Sequence, residues 1–100
     1  MKKYNNEEIK TLKKGDIIHY KSFNRNIEDH QQPDVFFDAI MEFVEFSESN
    51  TDVIALCNLL VLNYCDVNWE SSQVNFYIDL KEDEELYYIG PGEKFPEYFI

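Results

Sequence analysis

Four side chains in this sequence are of the types that most often bind metal ions or activate nucleophiles: His19, His30, Cys57 and Cys65. A metal site needs several such ligands at close spacing, and no CxxC, HxxxH or HExxH pattern occurs in the chain. Cys57 lies in an apolar run, where a buried structural thiol is much commoner than a metal ligand. The sequence therefore predicts no metal site.

Patterns typical of catalysis are also missing. Nucleophilic catalysis needs a base and an orienting group, and no nucleophile elbow accompanies the two histidines. The three glycines, Gly15, Gly90 and Gly92, form no phosphate-binding loop, and the acidic run 82–85 lacks the glycine of a calcium loop. Close carboxylate pairs are expected by chance among twenty acidic residues. The sequence favours a protein that is not an enzyme and needs no cofactor.

The net charge of −11 is distributed unevenly. Residues 26–80 contain eleven acidic side chains and neither Lys nor Arg, whereas five lysines lie within the first fourteen residues. Binding to nucleic acid or to anionic lipid needs clustered basic residues, so both partners are disfavoured. The expected partner is a basic protein surface.

Two acidic clusters and four aromatic residues are the candidate binding residues. The first cluster follows the middle of the chain and comprises Asp38, Glu42, Glu45, Glu48 and Asp52; the second lies at a predicted hairpin tip and comprises Asp79, Glu82, Asp83, Glu84 and Glu85. The candidate anchors near the tip are Trp69, Tyr77, Tyr87 and Tyr88. Neighbouring like charges repel one another, and a basic partner would relieve this repulsion. The alternative is that charges at the tip only protect a sheet edge from aggregation.

The pattern of apolar residues predicts a single α+β domain, residues 1–100, that is mainly antiparallel β. An N-terminal helix is expected from an Asn6 cap to Gly15, and alternation predicts strands at 16–23, 74–80 and 86–89. The last two strands are expected to form a hairpin, and the aromatic tail 93–100 is expected to fold back. The expected architecture is a small curved sheet or partly open barrel of about five strands.

Residues 35–46 fit two interpretations. As a helix they present Asp38, Glu42 and Glu45 on one polar stripe behind a possible Asp34 cap. As a strand they present every second residue, from Val35 to Phe43, on one apolar face. The strand is favoured, because a turn-forming stretch and a second apolar run at 53–62 follow, as in a hairpin. Residues 24–34 are expected to form a long loop.

The chain start and the apolar runs indicate a cytoplasmic protein. No apolar run follows the first lysines, so no signal peptide is expected. The longest largely apolar run, residues 53–62, is shorter than the about 20 residues of a membrane span. Two cysteines are fewer than a disulfide-rich secreted domain would carry. Abundant Asn, Ile, Lys and Tyr, whose codons are AT-rich, suggest a low-GC bacterium or its phage. If the protein is phage-encoded, the expected compartment is the host cytoplasm.

Three functions remain open from the sequence. In size and charge the chain is similar to phage-encoded nucleic-acid mimics and to bacterial immunity proteins that neutralise nucleases, which implies inhibition of a nucleic-acid-handling enzyme through its basic site. A second possibility is a structural or regulatory subunit, homodimeric through the aromatic tail. The third is a small β-barrel or enzyme with a ligand pocket, which the sequence does not locate.

Overall fold

Alternating apolar and polar residues build one antiparallel sheet in the computed structural model, which describes residues 1–24 and 34–99. The elements are β1 (Lys2–Lys3), α1 (Asn6–Ile9), β2 (Asp16–Asn24), β3 (Asp34–Ser49), β4 (Asp52–Cys65), β5 (Gln73–Tyr77), β6 (Glu84–Pro91) and 3-10 turns at Gly92–Lys94 and Pro96–Phe99. The six strands lie in the order β1-β6-β2-β3-β4-β5, and the sheet does not close into a barrel. The mainly antiparallel fold is confirmed, with the two-residue β1 as an added strand.

The ambiguous segment 35–46 is part of the long strand β3. Phe37, Ala39, Met41 and Phe43 are all buried on one face, as strand alternation requires. The helix alternative is therefore wrong, and residue 34 begins a strand. The predicted hairpin is confirmed, because β3 pairs with β4 through a turn in which Asn50 adopts a φ of 56°. Register shifts along this pair let both long strands bend without ending.

The buried face of the sheet curls around one core. The rings of Tyr20 on β2 and Phe76 on β5 stack at a centroid distance of 5.0 Å. Because β3 and β4 lie between these strands, the contact requires a strongly curved sheet. Ile9 and Leu12 of the N-terminal segment are buried in the same cluster. The N-terminal helix thus serves as a lid on the core.

The helix itself is shorter than expected. It spans only Asn6–Ile9, and its N-cap is Asn5, whose side chain accepts a hydrogen bond from the Glu8 backbone at 2.8 Å. Glu8 Oε1 in turn accepts a hydrogen bond from the Asn5 backbone at 3.2 Å, which completes a capping box and selects Asn5 over Asn6. Gly15, the expected end of the helix, adopts a φ of 94°, a left-handed conformation that glycine favours, but it lies six residues beyond Ile9 and does not terminate the helix.

The prediction that strands 74–80 and 86–89 form a hairpin is wrong. β5 pairs with β4, whereas β6 pairs with β1 and β2 on the other side of the sheet. The connection between them, residues 78–83, therefore crosses from one edge of the sheet toward the other. Partly buried Ile78 and Leu80 pack against the core along this crossing, which explains why the alternation continues beyond the end of β5.

The C-terminal tail folds back, as predicted, through two glycines. A Cβ atom on Gly90 would lie 2.5 Å from the Phe95 ring, and one on Gly92 would lie 2.6 Å from the Gly15 carbonyl oxygen. The Gly92 N–H donates to that carbonyl at 2.8 Å. Phe95 and Tyr98 are half-buried, whereas Phe99 remains 47% exposed. Ile100, His30 and most of the expected 24–34 loop lie outside the described residues.

The described part of the chain contains no helix that is long and apolar enough to cross a membrane.

Candidate protein-binding surface

The fold brings one member of each acidic cluster into the same cleft. Asp52 follows the β3–β4 turn, and Asp79 follows β5, twenty-seven residues later. A backbone hydrogen bond of 3.2 Å from the Ile78 N–H to the Val53 carbonyl holds these two segments together. Both aspartates line a cleft of about 430 Å³, together with Tyr77 and residues of α1. This feature is called the Asp52–Asp79 cleft below.

The polar groups of the Asp52–Asp79 cleft are partly held in position. Asp79 accepts a hydrogen bond of 2.9 Å from the Asn6 side-chain amide, and the Asn6 side-chain oxygen accepts one of 3.0 Å from the Leu80 N–H. Glu7 forms an ion pair with Lys10 at 3.2 Å. The side chain of Tyr77 is 57% exposed beside these carboxylates. The cleft therefore combines oriented negative charge with an accessible aromatic ring.

Two members of the predicted tip cluster are engaged within the protein. Glu84 accepts hydrogen bonds from the Tyr20 hydroxyl and, at 3.1 Å, from the Lys81 N–H. Burial raises the pKa of Tyr20, and the Glu84 carboxylate raises it further. Glu85 pairs with Lys3 at 3.1 Å across the sheet. Both glutamates belong to β6 and stabilise the fold.

The other three tip residues, Asp79, Glu82 and Asp83, lie in the crossing segment before β6. Glu82 is exposed, whereas Asp83 is half-buried. The Asp83 carbonyl accepts a hydrogen bond of 2.8 Å from the Phe23 N–H. This bond ties the crossing to the end of β2, so the tip cluster is spread along a connection and does not form a projecting hairpin.

Asp38 is also separated from the surface cluster, because it lies on the outer face of the sheet and pairs with His19. The Nε2–H of His19 donates to Asp38, and the Asn63 amide donates at 3.2 Å. Burial alone would raise the pKa of Asp38, but the hydrogen bonds from His19 and Asn63 outweigh it and hold that pKa below its usual range. The sequence carried no signal for this pair, since the two residues lie nineteen positions apart on neighbouring strands.

The remaining members of the middle cluster differ in their surroundings. Glu42 is half-buried and accepts a weak hydrogen bond of 3.4 Å from Asn58. Glu45 and Glu48 are exposed, and Glu48 is paired in register with Val53 at the rim of the Asp52–Asp79 cleft. The exposed carboxylates of this cluster are therefore at the end of the β3–β4 hairpin.

The four predicted aromatic anchors do not form one patch. Trp69 packs edge-on against Phe37, near the start of β3, with a centroid distance of 5.6 Å. Tyr77 on β5 is aligned, through β4, with the other end of β3. Tyr87 lies beside His19 on the outer face. Tyr88 stacks on Tyr4 at 5.1 Å. Among the four, Tyr77 is the one that lines the Asp52–Asp79 cleft.

A second and larger cleft, of about 960 Å³, has a lining that sequence reasoning missed. Its walls include the stacked pair Tyr4 and Tyr88, the lysines at 13 and 14, and Phe99 of the tail. The buried Asp16 carboxylate accepts hydrogen bonds from the Lys13 N–H at 2.8 Å and from the Tyr88 hydroxyl at 3.3 Å. No local signal marks this cleft, because its residues come from three separate segments of the chain.

Within residues 1–24 and 34–99, no group of three or more His, Cys, Asp or Glu side chains is placed to hold a metal ion. Comparison with protein-family models, with curated proteins and with solved structures gives no match.

Proposed function

We propose that the protein is an acidic binding protein that inhibits a nucleic-acid-handling enzyme by covering its basic site with the Asp52–Asp79 cleft. The observation that carries the proposal is the convergence of Asp52 and Asp79 beside exposed Tyr77. Folding places carboxylates that are far apart in the chain on one cleft, and Lys10, which also lines it, is paired with Glu7. A basic partner would supply the positive charge that Asp52 and Asp79 lack there.

The distribution of ion pairs supports this proposal. The ion pairs within the described residues involve Lys2, Lys3, Lys10 and His19 as cations, all in the first nineteen residues. The exposed Glu45, Glu48 and Asp52 at the hairpin end are not among their acidic partners. These carboxylates stay available to a partner, and their field would speed the approach of a positively charged surface.

The inhibitory step follows from the same charges. An enzyme that handles nucleic acid presents Lys and Arg side chains at phosphate spacing, and carboxylates can occupy those positions. Tyr77 would supply an aromatic contact at the centre of the interface, where such residues contribute most to affinity. Binding of this kind blocks access of the nucleic acid without any chemical step on the inhibitor.

The experiment compares two variants, each of which removes three negative charges. The cleft variant carries Glu48→Gln, Asp52→Asn and Asp79→Asn; the control variant carries Asp66→Asn, Glu70→Gln and Glu97→Gln at exposed sites elsewhere. Each protein is immobilised, exposed to lysate of a low-GC bacterium and eluted with a salt gradient for mass spectrometry. Retained enzymes are then assayed on nucleic acid with each protein added.

We expect the wild type and the control variant to retain and inhibit the same enzyme. The cleft variant should bind it more weakly, by about tenfold or more for each well-placed charge pair lost. Equal retention of the cleft variant and the wild type would contradict the assigned surface. Equal loss in both variants would show that net charge alone attracts the enzyme, which would also contradict it.

A second candidate function is small-molecule binding in the larger cleft. Its volume of about 960 Å³ is within the range of ligand sites, and Lys13 and Lys14 border it without an ion pair in the described chain. Thermal-shift screening of a small-molecule library against the wild type and a Lys13→Ala, Lys14→Ala variant distinguishes this function. A stabilising ligand that loses its effect in the variant would support it.

The tail-mediated subunit remains the third candidate. Phe95 already packs against Gly90 within the chain, so this contact would have to be shared or released for the tail to reach a partner. Among the tail aromatic residues Phe95, Tyr98 and Phe99, Phe99 is the exposed one and is accessible without such a change.

A further inference from the structure

Strand β4, with 14 residues, is longer than β5, which has 5 and flanks β4 on the side away from β3. β5 pairs with residues 54–58 of β4, and the Leu59 N–H donates to the Ser72 carbonyl at 2.7 Å. Beyond Leu59, one edge of β4 continues to pair with β3. In the described part of the chain, no strand pairs with the opposite edge of residues 60–63. Backbone groups on this edge are thus placed to pair with an added strand.

The side chains along this edge are apolar and exposed. Val61, paired in register with Ile40, is 36% exposed, and Leu62, paired in register with Ala39, is 38% exposed. These two residues point to opposite faces of the sheet, so the strand presents apolar surface on both sides. Trp69, 37% exposed, packs on Phe37, whose register partner Cys65 lies just beyond this edge. Exposed apolar edges of this kind commonly mark interaction sites.

The charge pattern indicates which partner suits this edge. Residues 53–65 form a run of thirteen without a charged side chain, in a protein of net charge −11. A basic partner gains no attraction from such a strand. On other parts of the surface, a second copy of the chain would bring its carboxylates against those of the first copy. On this strand it meets no carboxylate. Antiparallel pairing of one strand with its own copy is also self-complementary about a two-fold axis.

We propose that two copies of this protein associate by antiparallel pairing of the β4 edges at residues 60–63. Val61 and Leu62 of each copy then become covered by the other. The contact lies apart from the Asp52–Asp79 cleft, since β4 begins near that cleft and residues 60–63 lie toward its other end. Self-association and partner binding can therefore occur together in one molecule.

Salt affects the two interfaces in opposite directions. Added salt screens the repulsion between two chains of like net charge, so the β4 dimer becomes tighter. The same salt weakens attraction between the acidic cleft and a basic partner. Failure of one proposal is consequently distinguishable from failure of the other.

The test is sedimentation equilibrium of the full chain over a wide range of protein and salt concentrations. Two variants with the same charge change are compared: Val61→Lys on the proposed edge and Asn75→Lys at an exposed site on β5. Circular dichroism checks that both are folded. Hydrogen exchange at low and high protein concentration reports on residues 60–63 directly.

We expect a monomer–dimer equilibrium that shifts toward dimer with salt and gives concentration-dependent protection of residues 60–63. Val61→Lys should raise the dimer dissociation constant by about tenfold or more, because it brings two like charges into one interface. This loss would occur although the variant has less net negative charge than the wild type. Asn75→Lys should dimerise like the wild type.

Three results would overturn the proposal. One is a monomer at all protein and salt concentrations. Another is a dimer that Asn75→Lys weakens and Val61→Lys leaves intact, which would place the contact at β5. The third is a dimer without added protection of residues 60–63.

Discussion

The ring of Tyr20 stacks on the ring of Phe76 with an interplanar angle of 15°, although two strands of the sheet lie between them. This contact joins β2 near the centre of the sheet to the edge strand β5. Both rings are buried, at 7% and 5% exposure. The curvature that the contact maintains also brings the segment after β5 to α1, where Asp79 meets Asn6.

Replacing Phe76 should therefore destabilise the whole domain. We expect Phe76→Ala to lower the free energy of unfolding by about 3–5 kcal/mol, because it removes a buried ring and leaves a cavity. The exposed neighbour Tyr77 is the control, and Tyr77→Ala should change the stability by about 0.5 kcal/mol or less. Urea denaturation measures both. Similar losses for the two variants would show that Phe76 does not belong to the core.

The hydrogen bond between Tyr20 and Glu84 should contribute separately from the ring stack. Tyr20→Phe keeps the stack but removes the hydroxyl donor, and we expect a loss of about 1–2 kcal/mol. A double-mutant cycle with Glu84→Ala, which removes the acceptor, isolates the interaction between the two side chains. A coupling energy near zero would contradict the assigned hydrogen bond.

Stability should depend on the ionised form of Asp38. The folded pKa of Asp38 lies below its ordinary value of 3.8, so its contribution is present above about pH 4 and is lost as the pH falls through the folded pKa. We expect Asp38→Asn to cost about 1 kcal/mol near neutral pH and progressively less in acid. Urea unfolding at several pH values measures this difference.

The control for this pH dependence is Asp52→Asn, which removes the same charge at an exposed site outside the His19 pair. A general relief of acidic repulsion would appear in both variants. If the two variants gave the same pH profile, the hydrogen bonds from His19 and Asn63 would not be the cause.

Attachment of the C-terminal tail should depend on the absence of a side chain at Gly90. Gly90→Ala would place a Cβ atom against the Phe95 ring. We therefore expect the tail to be released and proteases to cleave faster within residues 93–99. Gly15→Ala is the control: its φ is also positive, but no atom lies within 4 Å of the added Cβ atom. That variant should lose about 1 kcal/mol of stability and keep the tail protected. Limited proteolysis with mass spectrometry distinguishes the two.

The two cysteines should differ in reactivity. Burial raises the pKa of the Cys57 thiol to about 12, whereas Cys65 is only half-buried near the end of β4. With Ellman's reagent near pH 8, we expect Cys65 to react in the folded protein and Cys57 to react only after unfolding. Cys65→Ser should abolish the native-state reaction. A Cys65→Ser protein that reacts as fast as the wild type would contradict the burial of Cys57.

Several strands could be predicted because alternation is a local property. The apolar face of β3 and the pair Val74 and Phe76 follow from burial of every second side chain. In β2 the adjacent Ile17 and Ile18 are both buried, at a register shift with β6. The helix boundary was predicted less well. Asn5 and Asn6 are equally suitable caps by residue type, and the choice depends on the reciprocal bond with Glu8.

Sequence by itself determined that the chain is a mainly antiparallel β protein with an acidic, nearly cation-free middle, because composition and period-two alternation are read from neighbouring residues. Tertiary structure alone decided that β5 pairs with β4 and not with β6, that Asp38 joins His19, and that Asp52 and Asp79 line one cleft. Each of these arrangements brings together residues far apart in the chain. Their geometry depends on how the sheet curves around the buried core, which no short stretch of sequence specifies.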